Sequence, residues 1–123
     1  MTRQDVQAAF ELLWRAVDKR DMDAWCDLFA EDCTFQNPHL STPVVGRENL
    51  RTLTRSWPEV DNQPEWHAID GNRLVVGWNE CHLSPKSSSR YRGFSTFIFS
   101  ENGLVASYEA MFDTVQVSES INR

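Results

Sequence analysis

A glutamate and a histidine two residues apart, Glu80 and His82, form the clearest candidate pair for acid/base chemistry in the sequence. They end a strand-like segment, residues 74–83, in which alternate side chains share a face. Their face also carries three large apolar side chains, those of Leu74, Val76 and Trp78. Such a face points inward, and a carboxylate beside an imidazole can take up a proton and return it. The alternative is that the strand turns outward at an edge or a bulge, which leaves both side chains in water.

Three other polar side chains are candidates for contact with a substrate. His67 shares a strand face with Ile69 and either handles a substrate proton or lies at the surface or a dimer contact. Asn37 can bind a carbonyl or hydroxyl oxygen through its NH₂ group. His39 follows Asn37 in a loop at the predicted mouth of a pocket, where contact with a ligand and simple solvation both remain open.

Aromatic residues are frequent, with five tryptophans and seven phenylalanines in 123 residues. Most of them are expected in the core. A pocket for a flat apolar ligand would need the same kind of lining. The candidates for this lining are Phe10, Trp14, Trp57, Trp78, Phe97, Tyr108 and Phe112.

Motifs for metal or nucleotide chemistry are missing. The sequence contains no HExxH, no CxxC, no glycine-rich phosphate loop and no Gly-x-Ser-x-Gly nucleophile turn. The prediction is therefore a protein without a metal or cofactor. Cys26, Cys33 and Cys81 are an odd number without metal-ligand spacing, which favours buried reduced thiols and a cytoplasmic location.

Length and charge predict one globular domain, residues 1–123. Hydrophobic residues make up 41% and charged residues 24%, as in folded domains. The net charge of −6 argues against nucleic acid, because phosphates would be repelled. The N-terminus lacks the apolar run of a signal peptide, and no segment has the length of a membrane span.

Apolar periodicity predicts three helices in the first half of the chain. Thr2 followed by Asp5 resembles a capping box at the start of the first helix. The apolar face of that helix contains Val6, Phe10, Leu13, Trp14 and Val17. Two shorter helices are predicted at residues 21–30 and 47–57, the second ended by Pro58.

The second half of the chain predicts strands joined by tight turns. The strands are expected at residues 66–70, 74–83, 91–100 and 104–117. Turn signals lie at Gly71 and at the Asn102-Gly103 pair. Helices first and a meander of strands afterwards indicate an α+β fold.

The predicted faces of these strands also suggest an interface. Alternation in the last strand puts Tyr108 and Phe112 inward and Asp113 outward, where a structural role in the strand or a subunit contact is expected. The outward face of the sheet would carry Val75, Cys81, Phe94, Ile98 and Met111. An apolar patch of this kind usually marks an interface, so we expect a homodimer through the outer face.

Three segments in order resemble one known family over residues 6–115. They are WCDLFAEDCTFQNP at 25–38, GRENL at 46–50, and the closing hairpin from FIF at 97–99 through NGLV at 102–105 to MFDT at 111–114. Together they resemble the SnoaL-like and ketosteroid isomerase-like branch of the nuclear-transport-factor-like superfamily. The resemblance implies a cone-shaped, curved antiparallel sheet wrapped around N-terminal helices, with an apolar pocket at the open end.

The resemblance also implies where the chemistry differs. Steroid isomerases of this family carry an aspartate base before the proline of the first strand, and this chain has Asn37 there. An acidic aspartate two residues before a later aromatic is replaced by Ser95, two residues before Phe97. Scytalone dehydratase-like members use strand histidines, and His67 loosely resembles one of these. A standard ketosteroid isomerase is therefore not expected, because an amide cannot accept a proton at neutral pH.

Two functions follow as expectations. The first is a cofactor-independent isomerase, cyclase, dehydratase or hydratase acting on a small hydrophobic oxygenated ring compound. In it, Glu80 or His82 serves as base or acid, and Asn37 and Ser95 polarise a substrate oxygen. The alternative is a non-catalytic module of the same fold that binds a small ligand or a protein partner.

Overall fold

A computed structural model describes residues 1–83 and 86–122 of the chain. Four helices and six strands follow one another in the order α1 Arg3–Asp18, α2 Met22–Asp27, β1 Phe29–Gln36, β2 Val44–Val45, α3 Arg47–Thr54, β3 Val60–Asp70, β4 Arg73–His82, β5 Tyr91–Phe99, β6 Val105–Phe112 and α4 Thr114–Asn122. The predicted α+β class is confirmed: the helices pack on one side of a curved sheet that does not close into a barrel. Within the described residues, no helix combines the length and apolar character needed to cross a membrane.

The first helix begins at the predicted capping box. Thr2 Oγ1 accepts a hydrogen bond from the Asp5 backbone N–H at 3.1 Å, and Asp5 Oδ2 accepts one from the Thr2 N–H at 2.8 Å. The pair satisfies two N–H groups that the helix itself leaves without partners. The helix buries Val6, Leu13, Trp14 and Ala16 against the sheet.

The second and third helices are shorter than the sequence predicts. α2 starts after Asp21, whose side chain accepts from the Ala24 N–H, and ends at Asp27. Phe29 and Ala30 belong to β1 instead, because that strand buries both side chains in the core. α3 ends at Thr54, and residues 55–57 form turns before Pro58.

The sheet has the order β2-β1-β6-β5-β4-β3. Strands β3 to β6 form the expected antiparallel meander, but β1 pairs with β6 in parallel. The prediction of a wholly antiparallel sheet is therefore wrong at this one pairing. The parallel arrangement is possible because most of the chain separates β1 from β6, and no hairpin has to join them.

One further strand boundary differs from the predictions. β3 begins at Val60, six residues before the predicted start, because Pro64 interrupts the pattern and the register shifts between Pro64 and Trp66. β4 and β5 match their predicted positions to within a residue at each end. The predicted turns are present, with Gly71 at φ 59° and Gly103 at φ 86°, a region that favours glycine.

The last predicted strand is too long. β6 ends at Phe112, and a fourth helix, α4, follows. Asp113 Oδ1 accepts hydrogen bonds from the N–H groups of Val115 at 2.9 Å and Gln116 at 3.2 Å. This capping interaction starts the helix despite the β-branched residues in it. Asp113 thus has the structural role that was expected, although it orders a helix and not a strand.

The outer face of the sheet exposes several apolar side chains. Trp66 is 52% exposed, and Phe94 and Met111 are each 44% exposed. The Trp66 indole lies across Gly77, where a side chain would have its Cβ 2.1 Å from the ring. Cys81 also lies on this side and is only partly buried, so the expectation of three buried thiols holds for Cys26 and Cys33 alone.

Candidate functional site

A cavity of about 710 Å³ opens between the helices and the inner face of the sheet. Its volume falls in the range of pockets that enclose small organic ligands. Six of the seven predicted aromatic residues line it, together with Trp25, Phe35 and Tyr91. These six are Trp14, Trp57, Trp78, Phe97, Tyr108 and Phe112.

The aromatic rings of the cavity wall pack against one another. The rings of Phe35 and Tyr108 stack with centroids 4.6 Å apart and planes 1° from parallel. The rings of Trp25 and Phe97 each pack edge to face against the ring of Tyr108. Their centroids lie 5.8 Å and 4.9 Å from that of Tyr108. Packing of this kind favours one orientation for each ring, so this part of the cavity wall is ordered without a ligand.

Glu80 lies on the wall of the cavity with both carboxylate oxygens engaged. Oε1 accepts a hydrogen bond from Asn62 Nδ2 at 3.2 Å, and Oε2 accepts one from the Tyr91 hydroxyl. The indole N–H of Trp14 donates to Asn62 Oδ1 at 3.0 Å, which fixes the orientation of the amide. The carboxylate is therefore aimed by its neighbours, and each oxygen keeps a lone pair for a ligand.

Strand pairing explains this arrangement. Asn62 of β3 and Tyr91 of β5 are the residues directly opposite Glu80 of β4. Directly opposed residues have Cβ atoms about 4.5–5.5 Å apart, which suits short side-chain hydrogen bonds. Three neighbouring strands thus contribute one residue each to the same spot.

The Tyr91 hydroxyl remains a hydrogen-bond donor over a wide pH range. Burial raises the pKa of Tyr91 above its usual value, and the negative charge of Glu80 and the hydrogen bond between them add to the rise. Loss of the proton would put two negative charges side by side in a buried place. The phenol therefore stays neutral beside the carboxylate.

His82 lines the cavity two residues beyond Glu80, as the strand alternation predicts. Its ring packs edge to face against the ring of Tyr91, with the two centroids 6.0 Å apart. The backbone N–H of His82 donates to Ser87 Oγ at 2.9 Å and ties the end of β4 to the following loop. The ring is thus held at the cavity wall by packing, near the carboxylate and available to a ligand.

A second polar group lies among the aromatic rings. Trp78 Nε1 donates to Ser95 Oγ at 2.9 Å, and Ser95 Oγ lies 2.8 Å from the Tyr108 hydroxyl. The two hydroxyls hold two protons and share one hydrogen bond, so one O–H remains to donate to a ligand oxygen. Burial raises the pKa of Tyr108 against the opposing effect of the Ser95 hydrogen bond, and the charge of Glu80 raises it further.

Asn37 and His39 lie at the edge of the cavity, in the loop after β1. Asn37 Oδ1 accepts a hydrogen bond from the His39 backbone N–H at 2.9 Å, which closes a tight turn. Asn37 thus lines the cavity, and a contact between its NH₂ group and a ligand remains a prediction. The His39 ring packs 5.1 Å from the ring of Phe112.

Phe10 and His67 are not part of the cavity, which corrects two predicted site residues. Their rings stack on each other at 4.3 Å, and His67 Nε2 donates to Gln7 Oε1 at 2.8 Å. His67 pairs with Val76 on β4 and packs beside α1, but its side chain is exposed. This agrees with the surface position that the sequence left open as one of two possibilities.

Several residues of the site were missed from the sequence, among them both hydrogen-bond partners of Glu80. Asn62 fell before the predicted start of its strand, and Tyr91 was considered only as a strand residue. Direct pairing with Glu80 would have revealed both, had the register been known. Arg20 also lines the cavity, where its exposed position marks the rim.

Among the described residues, no group of three or more histidine, cysteine, aspartate or glutamate side chains is arranged to hold a metal ion. Glu80 and His82 are the only such pair in the cavity wall that adjoin on one strand face. Their immediate neighbours are hydrogen-bond donors and aromatic rings. The groups available in this part of the chain are suited to proton transfer and hydrogen bonding.

The sequence model of one protein family, described as the SnoaL-like domain, matches residues 6–108. No curated protein sequence matches this chain significantly.

Solved structures of similar shape come from several proteins. A nuclear-transport-factor-2-like protein of unknown function from Burkholderia pseudomallei matches with a TM-score of 0.85 and 20% identity, covering 100% of both chains. An epoxide hydrolase from Mycobacterium tuberculosis, of the LEH-like type, matches with a TM-score of 0.80 and 15% identity, covering 96% of this chain and 90% of that one. TerC, crystallised with polyporic acid, matches with a TM-score of 0.78 and 18% identity, covering 97% and 98%. At these identities the similarity establishes the fold alone.

Proposed function

The chain belongs to the SnoaL-like domain family, and we propose that it is a cofactor-independent enzyme that transfers a proton on a small hydrophobic ring compound bearing oxygen. One observation carries the proposal. The Glu80 carboxylate is held on the wall of an aromatic cavity by two donors, Asn62 and Tyr91, and faces the space that a ligand would fill. A positioned carboxylate of this kind can act as a general base.

The chemistry begins with removal of a proton from carbon next to a substrate carbonyl. Glu80 takes the proton, the electron pair of the C–H bond forms a double bond to the carbonyl carbon, and the π electron pair of the carbonyl moves to its oxygen. The free O–H of the Ser95–Tyr108 pair donates to that oxygen and stabilises its developing charge. In a ring with a carbon–carbon double bond next to the carbon that lost its proton, return of the proton from Glu80 to the far end of that double bond completes an isomerisation.

His82 extends the same scheme to loss or addition of water. Its protonated ring can give a proton to a leaving hydroxyl while Glu80 removes the proton from carbon. Asn37 can bind a second oxygen of the ligand through its NH₂ group. The epoxide hydrolase with this fold supports the general idea that such a cavity hosts chemistry on small molecules.

A second candidate is a binding module without catalysis. Asn37 stands where the resembling isomerases have their base, and Ser95 stands where they have an acid. The hydrogen bonds to both oxygens of Glu80 would serve equally well to hold the strands together. Measurement of proton transfer separates the two candidates, because a binding module would take up ligands without exchanging their protons.

The test is exchange of deuterium into ring ketones in D₂O. We expect the protein to catalyse wash-in of deuterium beside the carbonyl of bicyclic ketones such as 2-tetralone, followed by nuclear magnetic resonance. Glu80→Gln should abolish most of the catalysed exchange. Binding of the same ketones without any catalysed exchange would favour the binding module.

We also propose that two copies pair through the outer face of the sheet. Phe94 and Met111 are directly opposed on β5 and β6, and each exposes 44% of its surface. Trp66 extends this apolar surface along the edge strand β3. Association would remove this apolar surface from water.

A further inference from the structure

We propose that Arg20 binds a carboxylate of the ligand at the rim of the cavity, so that the substrate class is an aromatic or bicyclic carboxylic acid. The inference rests on the proposed function for what happens deeper in the cavity, and adds the group by which the ligand is selected. Arg20 follows α1 and combines an exposed side chain with a place in the cavity lining. It is the only lysine or arginine among the lining residues that the structure describes.

The backbone at Arg20 has a conformation that suits glycine better. Its φ is 55°, the only positive value at a non-glycine residue in the described part of the chain. The Asp21 N–H donates to the Ala16 carbonyl at 3.0 Å, and the Arg20 N–H donates to the Val17 carbonyl at 3.0 Å. This pair of bonds is the Schellman motif, and its left-handed position is most often glycine. An arginine there lowers the stability of the helix end, which indicates that the side chain has a use.

The charge of Arg20 is available to a ligand. Within residues 1–83 and 86–122, its guanidinium has no hydrogen bond or ion pair at contact distance, whereas Arg51, Arg90 and Arg92 all pair with carboxylates. The charge of Arg20 has only a small effect on the pKa of Asp61. The pKa of Asp61 is lowered chiefly by a hydrogen bond from Gln63 and then by Arg90, with Arg20 as a smaller contributor.

Acidic groups in the cavity restrict where an anion can lie. Glu80 lines the interior and Glu59 lines the wall nearer the start of β3. Like charges repel strongly where water is excluded, so a carboxylate would be disfavoured beside Glu80. The rim at Arg20 is the place where an anionic group meets a positive charge. A carboxylic acid would therefore enter with its ring first and its carboxylate outward.

The length of α1 sets the size of such a ligand. Trp14, which holds Asn62 and through it Glu80, precedes Arg20 by six residues. α1 ends at Asp18, about 6 Å along the axis from Trp14, and Arg20 lies beyond that end. A fused two-ring body between the carboxylate and the reacting carbon spans a distance of this order, and the cavity of about 710 Å³ has room for it.

The test compares an acid with its neutral amide. 2-Naphthylacetic acid and 2-naphthylacetamide share the same ring body, and binding is followed by quenching of the tryptophans that line the cavity or by calorimetry. We expect the wild-type protein to bind the acid about 10-fold more tightly than the amide at low salt, with the preference falling as salt is added. Arg20→Gly should remove this preference, so that the acid and the amide bind with similar affinity.

The choice of variant separates charge from folding. Arg20→Gly relieves the left-handed backbone, so its melting temperature should equal or exceed that of the wild type. Arg20→Lys should keep part of the preference for the acid. Lys19→Gln removes one charge from the neighbouring residue, which does not line the cavity, and should leave the preference intact.

Three outcomes would overturn the proposal. They are equal affinity of the wild type for acid and amide, an unchanged preference in Arg20→Gly, or a loss in Lys19→Gln as large as in Arg20→Gly. Failure of the proposed function is recognised separately, because these are binding measurements. A protein that prefers the acid through Arg20 but exchanges no proton keeps this inference and loses the catalytic one.

Discussion

Glu80 and Asn62 lie directly opposite each other on neighbouring strands, with the carboxylate Oε1 3.2 Å from the amide Nδ2. The amide in turn accepts a hydrogen bond from the indole of Trp14 on α1. A helix, an edge strand and a central strand are thereby tied to one carboxylate. The position of the candidate base depends on this chain of contacts more than on any single residue.

Asn62→Leu tests that chain of contacts. The substitution leaves the Trp14 N–H and one oxygen of Glu80 without their partner while filling a similar volume. Loss of such partners at a partly buried place costs about 1–2 kcal/mol. Urea unfolding should show that decrease, and proton exchange should fall as well because Glu80 is no longer aimed. Gln63→Leu, on the neighbouring exposed position, serves as the control and should change stability little; equal effects of the two would contradict the account.

The raised pKa values of the two tyrosines lead us to expect that folding stability depends on pH in the alkaline range. Tyr91 and Tyr108 are the only two tyrosines in the chain, and the pKa of each is raised above the usual 10.0. A raised pKa in the folded state contributes stability that is present below pH 10 and is lost as the pH rises towards the folded value. Urea unfolding should therefore show stability falling above pH 10, less steeply in Tyr91→Phe.

The same two residues give a direct spectroscopic check. Absorbance of ionised tyrosine should rise near pH 10 in the urea-unfolded chain, and only at clearly higher pH in the folded protein. Titration of both tyrosines near pH 10 in the folded state would mean that neither hydroxyl is buried as described.

The outer sheet face predicts the oligomeric state. We expect a homodimer at tens of micromolar by sedimentation, and a monomer for Phe94→Asp, because a charge in the centre of the apolar surface opposes its burial. Val115→Asp is the matched control, since Val115 is 62% exposed and belongs to α4. A monomeric wild type at that concentration would contradict the proposed interface.

Steroid isomerase activity should be missing or very slow. Asn37 cannot accept the proton that the resembling isomerases take with an aspartate, and Ser95 is a weaker donor than their acid. The measurement is conversion of a β,γ-unsaturated ketosteroid, followed by ultraviolet absorbance. Rapid conversion that Asn37→Ala abolishes would show that the comparison with those enzymes is misplaced.

The sequence predicts the strands that carry the site better than it predicts which side chains contact one another there. Strand alternation puts Glu80 and His82 on one face with the apolar residues before them but leaves open an outward turn of the strand, and both residues line the cavity. Asn62 and Tyr91 could not be found in the same way, since their role depends on the register between strands that are distant in sequence. The sequence leaves His67 open as a proton-handling or surface residue, and its exposed ring stacks on Phe10 of α1 outside the cavity, which alternation alone could not show.

Local capping and tertiary packing explain the remaining differences. The residues after Phe112 favour a strand by composition, but the side chain of Asp113 offers two N–H groups an acceptor and begins α4. The spacing of Phe29 from the apolar residues of α2 favours a longer helix. Phe29 instead begins β1, where its side chain is buried. Apolar periodicity predicts which residues are buried. Whether they are buried in a helix or in a strand depends on contacts with residues that are distant in the sequence.

The measurement that tests the account most directly is deuterium exchange into 2-tetralone by Glu80→Gln. This variant keeps the shape of Glu80 and removes its capacity to take a proton, so the catalysed rate should fall by about 100-fold or more. Glu65→Gln on the outside of β3, paired with Arg92 and outside the cavity lining, is the matched control and should keep the wild-type rate. Unfolding by urea verifies that both variants remain folded. A catalysed rate in Glu80→Gln equal to that of the wild type would contradict the role of Glu80 as the base.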